Sequence, residues 1–162
     1  MSKAKIQTTT GVVEVEEDIA RMSPLLTGLI DESGLDEEIP VNISKEALDL
    51  VVEYLSQVKK NNGEEPTLDA PITSNDIANA CEDEWYVNFV KDRDAETLFM
   101  MANAGVTLQI TGFTDLATLK IACEIKGKKI EEIRGFFGVC NDFDDGEEEL
   151  IDEENRFASE YF

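Results

Sequence analysis

The 162-residue sequence contains no histidine. Histidine is the commonest general base and metal ligand in proteins, and it usually activates a serine or cysteine nucleophile. Aspartate and glutamate could still carry acid–base chemistry, but here they occur in runs such as residues 144–149, which are typical of solvated surfaces. No glycine-rich phosphate-binding motif is present either. The sequence therefore predicts a protein that is not an enzyme, with no catalytic residues, metal site or cofactor.

Cysteine is scarce as well, and the residues Cys81, Cys123 and Cys140 lie far apart in the chain. Their odd number does not suit a disulfide framework, and no CxxC motif is available to begin a zinc site. Free cysteines are among the most buried residue types. We therefore expect three buried free thiols.

Basic residues are few, because 14 lysines and arginines stand against 36 acidic residues and leave a formal net charge of −22. Such a field repels phosphate backbones and anionic lipid, so nucleic acid and membrane are not expected partners, whereas basic proteins are favoured. No apolar run approaches the roughly 18 residues of a membrane span. Residues 1–6 lack the apolar core of a secretory signal. A cytoplasmic and nuclear location is expected.

The apolar residues make up 42% of the chain, which is enough for a core, and they follow clear periodicities. Alternation predicts two strands between residues 4 and 15 with Gly11 at the turn, and a third strand over residues 38–43. Helical spacing predicts helices that begin after Ser23 and Ser44, both of which are suitable N-cap residues.

Residues 61–76 are polar and aperiodic, which predicts a long, mobile acidic loop. Beyond this loop we predict helices alone, near 85–90, from Asp94 to Gly105, from Phe113 to Lys126, from Ile130 to Phe137, and from residue 144 or 145 onward. Since strands occur only in the N-terminal part, the predicted fold class is α+β.

An apolar stripe runs along the C-terminal segment, where Phe143, Leu150 and Phe157 recur every seven residues. Such a stripe is typical of one helix face. One interpretation is that it packs against the protein's own core, and the other is that it awaits a partner helix. The sequence leaves both open.

The most specific residue series begins at Ile125 and ends at Asn155. It consists of Ile125-Lys126-Gly127-Lys128, Glu131-Glu132-Ile133-Arg134, Phe137, Asn141-Asp142-Phe143 and an acidic run ending in Glu154-Asn155. This series resembles the Skp family of small acidic adaptors, whose typical sequence has the same residues at the same intervals. The resemblance implies a BTB/POZ domain, here residues 1–126, followed by a C-terminal helical extension at 127–162.

In the Skp family, the helical extension binds the F-box of a substrate receptor and the BTB/POZ half binds a cullin, within an SCF-type E3 ubiquitin ligase. The resemblance therefore implies an adaptor that acts by binding F-box proteins. The F-box-binding residues that it implies are Leu116, Ile121, Ile125, Lys126, Phe137, Val139, Asn141, Phe143 and Phe157. Val106 and Thr107 stand where the family has an Asn-Tyr pair that faces the cullin.

This Val106-Thr107 substitution leaves two functional hypotheses open. If the cullin carries compensating changes, the protein is a ligase adaptor. If cullin binding is weakened or lost, the protein is a Skp paralogue that serves as a structural scaffold, either with F-box proteins or as a homodimer formed through its own F-box-binding surface.

Other departures from the family affect the helical extension. Phe157 replaces the usual tryptophan. Lys129-Ile130 replaces a Thr-Pro start, so the short helix that follows loses an N-cap worth about 1 kcal/mol. Gly135 and Gly138 are expected to loosen that helix further.

Overall fold

The computed structural model describes residues 2–161, apart from the side chains of residues 145, 152 and 157–161. The chain divides into two compact units, Met1–Gly127 and Lys128–Phe162. The first unit contains a small sheet covered by helices, and the second is helical.

The sheet of the first unit has the strand order β2-β1-β3, with β1 in the centre. Its strands are β1 (Lys3–Thr8), β2 (Gly11–Glu16) and β3 (Glu38–Pro40). β2 pairs antiparallel with β1, and β3 pairs parallel with it. The alternate residues Ala4, Ile6 and Thr8 of β1 are buried, as the period of two predicts. The predicted hairpin is confirmed, since Thr8 pairs with Gly11.

The helices of the first unit lie close to the predicted positions. They are α1 (Glu17–Ala20), α2 (Pro24–Ser33), α3 (Lys45–Lys60), α4 (Glu84–Lys91), α5 (Ala95–Leu108) and α6 (Thr111–Ile125). However, α5 extends beyond the predicted end at Gly105, and α6 begins before Phe113. The side chains of Ser23, Ser44 and Asp94 each accept a hydrogen bond from the backbone N–H three residues later. The C-cap residue of α5 is Gln109, whose φ of 58° is left-handed. A 3₁₀ turn at Ile77–Asn79 was not predicted.

Aromatic rings fill the centre of the first unit. The Tyr54 ring lies 5.5 Å from that of Tyr86 and 5.2 Å from that of Phe113, and all three side chains are fully buried. Within the described residues the Tyr54 hydroxyl has no hydrogen-bond partner, and burial raises the pKa of Tyr54 far above its ordinary value. Tyr54 is therefore neutral at any physiological pH.

The prediction of three buried thiols is confirmed for Cys81 and Cys123, and burial raises the pKa of both. It is wrong for Cys140, which is exposed. Cys140 lies in the short connection after the first helix of the second unit, a helix that has no buried residue.

The second unit contains α7 (Ile130–Phe137) and α8 (Asp145–Tyr161). The N-cap residue of α7 is Lys129, whose ammonium has no lone pair to accept a hydrogen bond. Instead, the Glu132 carboxylate accepts from the Lys129 backbone N–H at 2.9 Å. The prediction that Gly138 loosens α7 is wrong, because Gly138 lies just beyond the helix with φ 66° and terminates it.

The packing of α5 on α6 depends on Gly105. A methyl group at this position would collide with Thr114 Oγ1 and lie 3.1 Å from the Thr114 backbone nitrogen. We expect Gly105→Ala to lower the free energy of unfolding by about 1–3 kcal/mol, the usual cost of overpacking.

The matched control is Gly28→Ala on α2, where no atom lies within 4 Å of the added methyl group. This change is expected to raise the free energy of unfolding by about 0.5–1 kcal/mol, because alanine favours a helix over glycine. Urea denaturation of both variants measures the difference. A Gly105→Ala protein as stable as the parent would contradict the close approach of α5 and α6.

Candidate partner-binding surface

α6 carries the first group of residues that the sequence assigns to a binding surface. Ile121 and Ile125 are half-buried and Lys126 is exposed, so a partner can reach all three. Leu116 is fully buried in the core. It lies on the same helix face as Phe113, which packs inward, and we therefore remove Leu116 from the surface.

Lys126 also contacts a segment that is distant in sequence. Its ammonium donates a hydrogen bond to the Ile72 carbonyl at 2.7 Å. Ile72 belongs to the 61–76 loop, and in the same loop the Asp69 N–H donates to the Ala80 carbonyl at 2.8 Å. The loop is thus attached to the first unit at more than one point. Its mobility stays a prediction.

A shallow cleft of about 410 Å³ separates this loop from α6. It is lined by Leu68, Asp69, Ala70, Ile72, Asp115, Thr118, Leu119 and Ala122. Local periodicity does not predict this cleft, because its two sides come from segments that are distant in the sequence. Lys126 lies next to it through the bond to Ile72.

The second unit exposes large apolar side chains. Phe137 is 42% exposed, Val139 59% and Phe143 44%, and Leu150 on α8 is 63% exposed. Since exposed apolar patches of this kind mark interaction sites, the unit offers a surface for a partner. The exposure of Phe143 and Leu150 favours the other interpretation of the C-terminal stripe, that it awaits a partner helix. The side chain of Phe157 lies outside the described residues.

The ring of Phe143 is held in place by polar neighbours. The Arg134 guanidinium lies 5.6 Å from the ring centroid, and it is 3.9 Å from a carboxylate oxygen of Glu148. Asn141 is exposed, and its side-chain oxygen accepts from the Phe143 N–H at 3.2 Å. These contacts connect α7 to the start of α8 around Phe143.

Val106 and Thr107 lie on the last turn of α5. Val106 is 67% exposed and has no polar side-chain atom. Thr107 is half-buried, and its hydroxyl donates to the Asn103 carbonyl at 2.8 Å within the same helix. The pair therefore presents apolar surface with its one hydroxyl donor already engaged.

The described residues show neither a membrane-crossing helix nor a metal-binding cluster. No described helix is both long and apolar enough to span a bilayer. In the same part of the chain, no group of three or more histidine, cysteine, aspartate or glutamate side chains is arranged to hold a metal ion.

Two family models match the chain and together cover more than half of it. Residues 5–60 match the tetramerisation (POZ) domain of the Skp1 family, and residues 111–158 match the dimerisation domain of the same family. The class that the fold and the surface define is thus an α+β POZ-domain protein with a helical C-terminal part.

Curated relatives extend over nearly the whole chain. The S-phase kinase-associated protein 1 homolog of Tetrahymena thermophila is 35% identical over 150 residues, which cover 92% of this chain and 89% of the relative. SKP1-like protein 20 of Oryza sativa subsp. japonica is 39% identical over 157 residues, with coverage of 92% and 89%. The E3 ubiquitin ligase complex SCF subunit sconC of Aspergillus flavus is 33% identical over 150 residues, with coverage of 91% and 90%. The chain belongs to the Skp1 family.

Proposed function

We propose that the protein is the adaptor subunit of an SCF-type E3 ubiquitin ligase, in which it bridges F-box substrate receptors to a cullin. The observation that carries this proposal is the set of exposed apolar side chains on the second unit, Phe137, Val139 and Phe143. The name of the Aspergillus flavus relative, an SCF subunit, supports it. The adaptor acts by binding alone, in the cytoplasm and the nucleus.

The chemistry of the exposed residues suits an F-box partner that offers apolar side chains. Aromatic and branched apolar anchors with a polar rim are the usual composition of an interface core. The second unit offers Phe137 and Phe143 as anchors with Asn141 as a hydrogen-bonding group, and the first unit offers Ile125 with Lys126. Phe157 remains part of the proposed surface from its sequence position.

A second function is favoured by the Val106-Thr107 pair. Because the Thr107 hydroxyl already donates to the Asn103 carbonyl, the pair offers a cullin no free hydrogen-bond donor from its side chains. In this alternative the protein is a scaffold that joins F-box proteins, or copies of itself, in a complex that is not a ligase. Its binding to a cullin is weak or lost.

Affinity purification of the tagged protein from cells that express it separates the two functions. A cullin recovered with several F-box proteins supports the ligase adaptor. F-box proteins or additional copies of this chain, recovered without a cullin, support the scaffold. Recovery of neither F-box proteins nor a cullin would contradict both.

The second unit is expected to gain protection from hydrogen exchange when it binds. Its apolar side chains are exposed and Lys129 provides no side-chain cap, so we expect the amides from residue 128 onward to exchange fast in the free protein. Binding of an F-box protein should slow that exchange. Because self-association would also protect these amides, the measurement needs a series of protein concentrations. Slow exchange in a dilute, monomeric sample would contradict this prediction.

A further inference from the structure

A groove on the first unit shares no residue with the surfaces described above. It lies between α3 and α4, has a volume of about 440 Å³, and is lined by Glu53, Trp85, Asn88, Phe89, Asp92 and Arg93. A hollow of about 330 Å³ continues it along α3 and shares Glu53 and Arg93 with it. We call the two together the Trp85 groove.

Aromatic stacking holds the wall of this groove in place. The half-exposed Trp85 ring stacks on Phe89 with a centroid distance of 4.9 Å and an angle of 14°, and it meets the Tyr86 ring edge-on at 5.1 Å. Arg93 is held by the same wall, since its guanidinium lies 5.5 Å from the Phe89 ring centroid and its Nε donates to the Phe89 carbonyl at 3.1 Å. Trp85 is therefore an ordered aromatic side chain that stays partly open to a ligand.

The described residues form no close ion pair with the carboxylates of Glu53 and Asp92 in the groove. Among the described residues, no lysine or arginine nitrogen lies within 4.0 Å of the Glu53 or Asp92 carboxylates, although Arg93 lines the same groove. Glu46 and Asp49 add two further acids in the continuing hollow, next to Leu50 and Met100. The groove thus combines an acidic lining with apolar and aromatic surface.

We infer that the Trp85 groove binds a basic segment of a partner protein, with an arginine or lysine against the Trp85 ring and the carboxylates of Glu53 and Asp92. A cation over a tryptophan face is the most favourable cation–π pair, and unpaired carboxylates beside it add charge complementarity. Arginine suits the site better than lysine, because a planar guanidinium both stacks on a ring and bonds a carboxylate. An apolar neighbour of that cation packs on Leu50 and Met100.

This inference does not depend on the proposed adaptor function. It concerns a basic partner segment, whereas the F-box surface is built from apolar residues. Nucleic acids and anionic membranes do not fit the groove, since its carboxylates repel phosphate groups. The occupant is a peptide of opposite charge.

Fluorescence provides a direct test, because Trp85 is the only tryptophan in the chain. The probe is a short acetylated and amidated peptide in which arginine and leucine alternate, titrated into the full-length protein. We expect a saturable change in Trp85 fluorescence that weakens as salt is added. Glu53→Gln and Asp92→Asn should each raise the dissociation constant about tenfold, the typical effect of losing a charged hydrogen bond.

Two controls separate a site from general attraction to an acidic protein. Glu37→Gln removes one exposed carboxylate outside the groove and should leave the affinity unchanged. A peptide with citrulline in place of arginine keeps the shape but lacks the charge, and should not bind. The inference is overturned if the titration does not saturate, if Glu53→Gln and Glu37→Gln behave alike, or if the citrulline peptide binds equally well. Circular dichroism of each variant verifies folding.

Discussion

Ile125→Asp is expected to weaken the binding of an F-box protein at least about a hundredfold. The change places an unpaired carboxylate in the proposed interface, where a buried uncompensated charge costs about 3 kcal/mol or more. Ile125 is half-buried near the end of α6, beside the exposed Lys126. Calorimetric titration of an F-box protein into both forms of the adaptor measures the loss.

The matched control for this experiment is Val12→Asp. Val12 lies on the edge strand β2, is 48% exposed, and undergoes a similar chemical change outside the proposed interface. F-box affinity should not change in this variant. If Ile125→Asp lowers the melting temperature, Ile125→Ala serves as a milder second variant with an expected loss of about tenfold. Unchanged affinity in folded Ile125 variants would show that the proposed surface is wrong.

The paired change Val106→Asn with Thr107→Tyr is expected to tighten cullin binding about thirtyfold. Asparagine supplies both a donor and an acceptor, and tyrosine supplies a large ring with a hydroxyl that bonds at its edge. Aromatic anchors of this kind often contribute about 2 kcal/mol or more to an interface. The present pair has an exposed valine and a threonine whose hydroxyl already bonds Asn103. A titration of both proteins against one cullin N-terminal domain measures the gain.

F-box affinity is the internal control of the cullin experiment. Val106 and Thr107 lie on α5, so the paired change should leave the binding of an F-box protein unaltered. Nanomolar cullin binding by the unmodified protein, or no gain from the paired change, would remove the observation that favours the scaffold alternative. The ligase adaptor would then be the better account.

Local physical chemistry determined most of the secondary structure. The Ser23, Ser44 and Asp94 side chains each accept a hydrogen bond from the backbone N–H three residues later, and all three lie where the sequence predicts that a helix begins. Alternation within residues 3–16 set the hairpin, because a period of two places every second side chain on the same face of a strand. Helix capping and strand alternation involve only residues that are close together in the chain. Both can therefore be recognised in a single sequence.

The large apolar residues of the C-terminal segment could also be identified from the sequence. Phe137, Val139 and Phe143 are large apolar residues on short segments rich in charge, and the structure leaves them exposed. The family resemblance pointed to the same residues.

Tertiary packing alone decided which face of each helix is covered. Leu116 and Ile121 belong to one apolar pattern, yet Leu116 is fully buried and Ile121 is half-buried, because α6 turns the face of Phe113 inward. Periodicity defines an apolar face but not the segment that packs on it. The same limit hid two sites. The walls of the cleft beside Lys126 come from α6 and the 61–76 loop, and those of the Trp85 groove come from α3, α4 and α5, so only the folded core brings them together.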